Sequence, residues 1–129
     1  MESDAAHHLE QILNRVRQVC SNVVVREYDI SEQRALLQLT AEFNGYRIAV
    51  TEIVRATSRG YAYYLLRGTL VVIGWDNAPD RLALRLKYGK DFTQHLYQEI
   101  PHEHRGESVA LTHEKTMDEF LALVQSYRG

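Results

Sequence analysis

Over residues 34–43, RALLQLTAEF, every second position is apolar. Ala35, Leu37, Leu39, Ala41 and Phe43 therefore share one face of a strand. Asn44-Gly45 follows, a pair that tolerates the positive φ of a tight hairpin turn. YRIAVTEIVRA (46–56) is the returning strand, and its apolar phase slips near Glu52 as at a bulge. Arg59-Gly60 and Arg67-Gly68 turn the chain into YAYYLLR (61–67) and TLVVIGWD (69–76), and the β-branched run VVVREYDI (23–30) precedes them all. These segments predict a meander of consecutive antiparallel strands.

The period changes at both ends. Ala5, Leu9, Ile12, Leu13, Val16 and Val19 recur at helical spacing over residues 4–20. Near the C-terminus Thr116 and Glu119 form a T-x-x-E capping box, with Phe120, Leu123, Val124 and Tyr127 as the apolar stripe behind it. In between, RLALRLKY (81–88) alternates leucine with Arg81, Arg85 and Lys87, which reads as a strand with one basic face, although Leu and Ala also permit a helix. DFTQHLYQEI (91–100) suits a short helix opened by Asp91, and SVALT (108–112) a short strand. The expected architecture is α+β: an N-terminal helix, an antiparallel meander of four to six strands, and a C-terminal helix, both helices on one face.

Composition narrows the class. At 129 residues with 45% hydrophobic and 25% charged content, the chain suits one soluble domain, 1–129. No apolar run approaches the roughly 20 residues that span a bilayer. The opening MESDAAHHLEQIL is acidic and amphipathic, unlike a secretory signal. A single cysteine, Cys20, permits no internal disulfide, and the cytoplasm is the expected compartment. Residues 47–105 hold nine Arg or Lys against six acids, so the middle of the chain is its basic part. Arginine supplies twelve of the fifteen bases, and its forked guanidinium suits phosphate or carboxylate.

That basic part contains the candidate chemistry. In IPHEHRG (100–106), an extended backbone would point His102 and His104 the same way, as an acid–base pair or as two ligands of one metal. A polar surface loop is the competing reading. GWDNAP (74–79) leaves Asp76 and Asn77 at a strand end. Either they are turn residues, or Asp76 orients or joins the histidines while Asn77 donates to developing negative charge. Arg81, Arg85 and Lys87 are phosphate-facing candidates, with a solvated strand face as the alternative. Tyr61, Tyr63 and Arg67 share a face that could stack on bases, or the tyrosines could simply be good strand formers. His7, His8 and His113 read as surface residues and Trp75 as core.

The order VIGWDNAP, PHEHRG, short strand and MDEFLALV resembles the TumE-type family of toxin–antitoxin proteins over roughly residues 23–127. The resemblance implies a small prokaryotic, cytoplasmic α+β toxin with an aromatic-Asp-Asn at a strand end and a downstream His-x-His. It points to Asp76, Asn77, His102 and His104 as site residues, to a cognate antitoxin as partner and to RNA as target. Two departures stand out. Residues 78–101 are longer than the corresponding stretch of many members, so 78–100 suggests an insertion or lid. Some members carry a histidine where this chain has Asp80, so His95 becomes its candidate substitute.

The leading expectation is RNA cleavage by His102 and His104, with Asp76 and Asn77 positioning them and Arg67, Arg81 and Arg85 holding phosphates. No cofactor is needed for acid–base cleavage, whereas a divalent metal on Asp76, His102 and His104 is the close variant. The alternatives are a non-enzymatic protein-interaction module, favoured by a pI near 6.3, and a metal-dependent hydrolase of a small molecule. A homodimer is left open.

Overall fold

The computed structural model describes residues 2–128. Its elements are α1 (Glu2–Val19), β1 (Ser21–Ile30), β2 (Arg34–Phe43), β3 (Tyr46–Arg55), β4 (Arg59–Arg67), β5 (Leu70–Asp76), α2 (Arg81–Tyr88), a 3-10 helix (Gly89–His95), β6 (His102–Arg105), β7 (Ser108–Leu111) and α3 (Met117–Ser126). All seven strands join one antiparallel sheet in sequence order, β1 to β7. The count exceeds the predicted four to six because HEHR and SVAL, four residues each, extend the meander.

Period two decides which side chains meet the helices. Leu37, Leu39, Ile48, Val50, Tyr63, Leu65, Ile73 and Trp75 all fall on one face and form the main core with residues of α1 and α3. Both terminal helices thus cover the same face, and α3 begins with the capping box predicted at Thr116 and Glu119. No helix among the described residues is long and apolar enough to cross a membrane.

Three local readings change. Arg59 and Gly60 are not a turn but the start of β4, paired with Val54 and Ile53, and the chain reverses over 56–58, where Arg55 N donates to Ser58 O. β3 pairs without a register shift on either side, so Glu52 is not at a bulge. It stays in phase with Ile48 and Val50 and is 1% exposed, which is why the apolar pattern seemed to slip. Residues 81–88 form a helix, not a strand. Asp80 caps it by accepting from Ala83 N at 2.9 Å, and Gly89, at φ +59°, ends it by donating to Arg85 O. Leu, Ala and Arg are good helix formers, so a cap at each end was enough to select the helix.

Ala83 and Leu84 of α2, with Phe92 and Ile100, make a second, smaller core that packs against Val109 of β7. Val109 is the cross-strand partner of His104, so α2 covers the sheet face opposite α1 and α3. Residues 78–100 therefore carry a helix, a 3-10 turn and buried side chains of their own.

Candidate functional site

β5 and β6 are neighbours, and their register sets Asp76 directly opposite His102 and Gly74 opposite His104. All three polar side chains project on the α2 side of the sheet. Trp75 and Glu103 project on the other, where the Trp75 indole N–H donates to Glu103 Oε1 at 2.8 Å. Residues some 25 positions apart in sequence thus become immediate cross-strand neighbours.

Asp76, His102 and His104 each offer a ligand atom, and these atoms all lie within 4.8 Å of one another. Asp76 Oδ1 is 3.2 Å from His102 Nε2, and its Oδ2 is 3.7 Å from His104 Nε2. The imidazole centroids are 4.8 Å apart in an edge arrangement, nearer than strand rise alone would set them. Asp80 closes a further side: one oxygen caps α2, while Oδ2 lies 3.8 Å from His102 Nε2 and 4.0 Å from His104 Nε2. At the position where some members of the resembling family carry histidine, this chain therefore presents a carboxylate to the same two imidazoles. His95 does not take that place. It stacks on Tyr88 at 3.7 Å and bonds to Gln98.

The tautomer of His102 follows from its partner. Nδ1 lies 2.6 Å from the carbonyl oxygen of Ile100, which can only accept, so Nδ1 carries a proton. In the neutral ring, Nε2 then directs a lone pair at Asp76 and Asp80. Lone pair against carboxylate is repulsive, and a proton or a cation between them removes the repulsion. Two ligands about 2.1 Å from a tetrahedral ion stand roughly 3.4 Å apart; the Asp76 oxygens stand 3.2 and 3.7 Å from the two imidazoles, and the whole set lies within 4.8 Å, wider than that ideal. Mixed imidazole and carboxylate donors suit a divalent transition metal. The donor set fits such an ion.

Tyr64 was not singled out in the sequence, yet it holds the cluster together. One step out of phase with Tyr61 and Tyr63, it lies on the site's face, and its hydroxyl donates to Asp76 Oδ2. Its ring stacks beside His104, with centroids 6.3 Å apart. Burial pushes the Tyr64 phenol up, and Asp76 and then Asp80 push it further, so it remains a donor. The backbone N–H of Ala78 donates to Asp76 Oδ1 at 2.9 Å. The signal available in sequence was parity along β4 together with the small residue, Gly74, opposite.

The other nominated residues are placed elsewhere or otherwise engaged. Asn77 is 5% exposed and spends its amide on backbone: Oδ1 accepts from Tyr61 N at 3.0 Å and Nδ2 donates to Arg59 O at 2.7 Å. Its carbonyl accepts from Ile100 N, so its polar groups are engaged with backbone beside the cluster. Tyr61 and Tyr63 are 3% and 0% exposed beneath the helices, which removes them as base-stacking platforms. Arg67 lies five residues along β4 from Ala62, the partner of Asp76, roughly 17 Å by strand rise. There it donates to the Tyr46 hydroxyl, too far away to hold a phosphate at the cluster. Arg81 and Arg85 lie over Phe92 on α2, and Lys87 over Tyr88. Arg55, which no local pattern in the sequence marks, extends across Gly60 on the α2 side of the sheet and approaches Glu99 at 3.6 Å.

A second polar cluster sits under the helices. Glu52 receives the Tyr63 hydroxyl, lies 3.4 Å from Arg59 Nε and meets His8 Nε2 at 2.7 Å. His8 is thus a tie between α1 and β3, not simply a surface residue. Burial, then Glu52, drives the Tyr63 phenol strongly upward.

Searches of curated proteins and of solved structures find no match to the chain. A family model does match, described as "Toxin TumE" and spanning residues 8–128, nearly the whole chain and every side chain of the cluster. On that match the chain belongs to the TumE toxin family, the toxin component of a toxin–antitoxin system.

Proposed function

We propose that this toxin cleaves RNA at the Asp76–His102–His104 cluster with the help of a divalent metal. The observation that carries the reading is the placement of His102: its Nδ1 meets the Ile100 carbonyl, and its Nε2 stands 3.2 Å from Asp76 and 3.8 Å from Asp80. Asp76, His102 and His104 would hold the ion, with Asp80 at its side. When bound, the ion supplies a Lewis acid for a phosphate oxygen and acidifies water. In the overall step, water oxygen forms a new bond to phosphorus, the bond to the departing ribose oxygen breaks, and that oxygen takes up a proton from water.

The remaining work falls to the chain's own side chains. His102, 1% exposed, is an anchor; His104, with a quarter of its side chain exposed, is the imidazole nearest to substrate. Tyr64 and the Ala78 N–H hold the Asp76 carboxylate in place. Arg55 and, at the start of α2, Arg81 are the cations disposed to take flanking phosphates. A metal-free acid–base cleavage is the second reading, supported by the exposed edge of His104.

The test is metal content, RNA cleavage and growth inhibition for the wild type and a His102→Ala/His104→Ala double variant. About one equivalent of metal is expected in the wild type and none in the variant, with cleavage lost on chelation and regained on adding metal back. Cleavage that survives exhaustive chelation but not His104→Ala would favour acid–base chemistry. Equal growth inhibition by both folded proteins would remove the cluster from the toxic activity.

A further inference from the structure

The alternation that made residues 81–88 read as a strand has a consequence on a helix. At 3.6 residues per turn, alternating leucines cannot all share one side. Leu84 enters the small core, while Leu82 and Leu86, one turn apart, stand 55% and 59% exposed. A shallow cavity of about 250 Å³, lined by Leu82, Arg85, Leu86 and Val109, joins them to β7. The apolar surface runs on to Leu111, 42% exposed and on the same strand face as Val109. β7 ends the sheet order, so its outer edge has no strand partner among the described residues. A lone exposed leucine needs no explanation, but an i,i+4 leucine pair running onto a free strand edge does.

The surrounding charge indicates what would cover it. From the Asp80 cap to residue 91 stand Arg81, Arg85, Lys87 and Lys90 against Asp80 and Asp91, and Arg85 lines the cavity itself. A second copy of this chain would set these cations against themselves across a two-fold axis. RNA would satisfy the cations and leave the leucines in water. An acidic protein segment that carries apolar side chains satisfies both.

We propose that the Leu82–Leu86–Val109–Leu111 surface is where the antitoxin docks, through an acidic segment bearing at least two apolar residues. Asp80, which caps α2, also turns its carboxylate toward His102 and His104, so a partner seated here lies beside the cluster. The inference rests on membership of a toxin family and not on the RNA-cleaving reading.

The experiment titrates purified cognate antitoxin into the full-length chain, with no RNA present, for the wild type, Leu82→Asp/Leu86→Asp and Leu70→Asp. Leu70 is 71% exposed at the start of β5 and serves as the control. The double variant is expected to lose affinity by about 100-fold or more, as for two central anchors, while Leu70→Asp binds as wild type. In cells, growth inhibition by the double variant is expected to persist when antitoxin is co-expressed. If the aspartates unfold α2, Leu82→Gln/Leu86→Gln keeps helix propensity and asks the same question. Unchanged antitoxin binding by a folded double variant overturns the proposal. So does a wild type with the mass of two chains that the variant reduces to one, or an RNA affinity that falls while antitoxin affinity holds. A toxin that binds antitoxin yet cleaves no RNA leaves this inference standing and removes the other.

Discussion

Tyr64 lies flat across Gly74: a side chain at that glycine would collide with Cε1 and Cδ1 of the ring. The missing side chain in β5 is what lets the ring reach over its cross-strand neighbour, set its hydroxyl on Asp76 and stack beside His104. Gly74→Ala must displace the ring. An overpacking cost of about 1–3 kcal/mol is expected in denaturant unfolding, with metal affinity and toxicity falling together. Tyr64→Phe keeps the ring and removes only the donor, so its stability loss should be smaller while the effect on the cluster remains.

Asp80 has two separable duties, one for each oxygen. Asn is as good a helix cap as Asp, so Asp80→Asn should leave thermal stability nearly unchanged. It removes the charge facing both imidazoles, and metal affinity should drop by about 10–100-fold. Asp80→Ala should show the same metal defect plus about 1 kcal/mol of lost stability from the missing cap. A calorimetric metal titration beside a melting curve separates the two effects.

Asn77 should behave as a brace. Removing its amide in Asn77→Ala leaves the buried Tyr61 N–H and Arg59 carbonyl without their side-chain partner. A destabilisation of about 1–3 kcal/mol is expected. Below the melting transition, cleavage per folded molecule should stay near wild type. A large loss of turnover with an unchanged melting temperature would instead place Asn77 among the reacting groups.

The tyrosines set an alkaline limit. Burial holds the phenols of Tyr61, Tyr63 and Tyr64 above their ordinary range, with Glu52 adding to the rise at Tyr63 and Asp76 at Tyr64. In the unfolded chain these phenols ionise near pH 10. Stability is therefore fully present below about pH 10 and is lost as pH rises, because the unfolded state sheds protons the native state retains. Phenolate absorbance from these residues should appear in step with loss of ellipticity. Tyr63→Phe should flatten that alkaline loss.

The strongest sequence signals were those in which period and packing agree. Residues 34–76 alternate because one sheet face meets helices and the other does not, and the turn pairs Asn44-Gly45 and Arg67-Gly68 mark where the chain reverses. The same logic misled at 81–88. Alternation over eight residues fits a strand or a helix with leucines on opposite sides, and the cap from Asp80 decided between them. Glu52 misled differently, since a buried carboxylate looks like a break in the pattern unless Tyr63, Arg59 and His8 are known to surround it.

Candidate chemistry was visible wherever a residue type is rare. Six histidines and one Asp-Asn at a strand end are few enough to nominate His102, His104, Asp76 and Asn77. Tyr64 and Arg55 are common types in a chain with eight tyrosines and many arginines, and nothing local marks them. The nominated arginines show the converse: Arg67 has the right charge at the wrong end of β4.

The terminal helices, the first five strands and the alternation of each strand's faces were written in the chain, because alternation, turn chemistry and capping act over a few residues. Register across β5 and β6, the side from which α2 approaches, and the atom to which each polar group is pledged were not. Those depend on which backbone lies beside which, a cooperative outcome of burying two cores at once. A short local stretch cannot encode it.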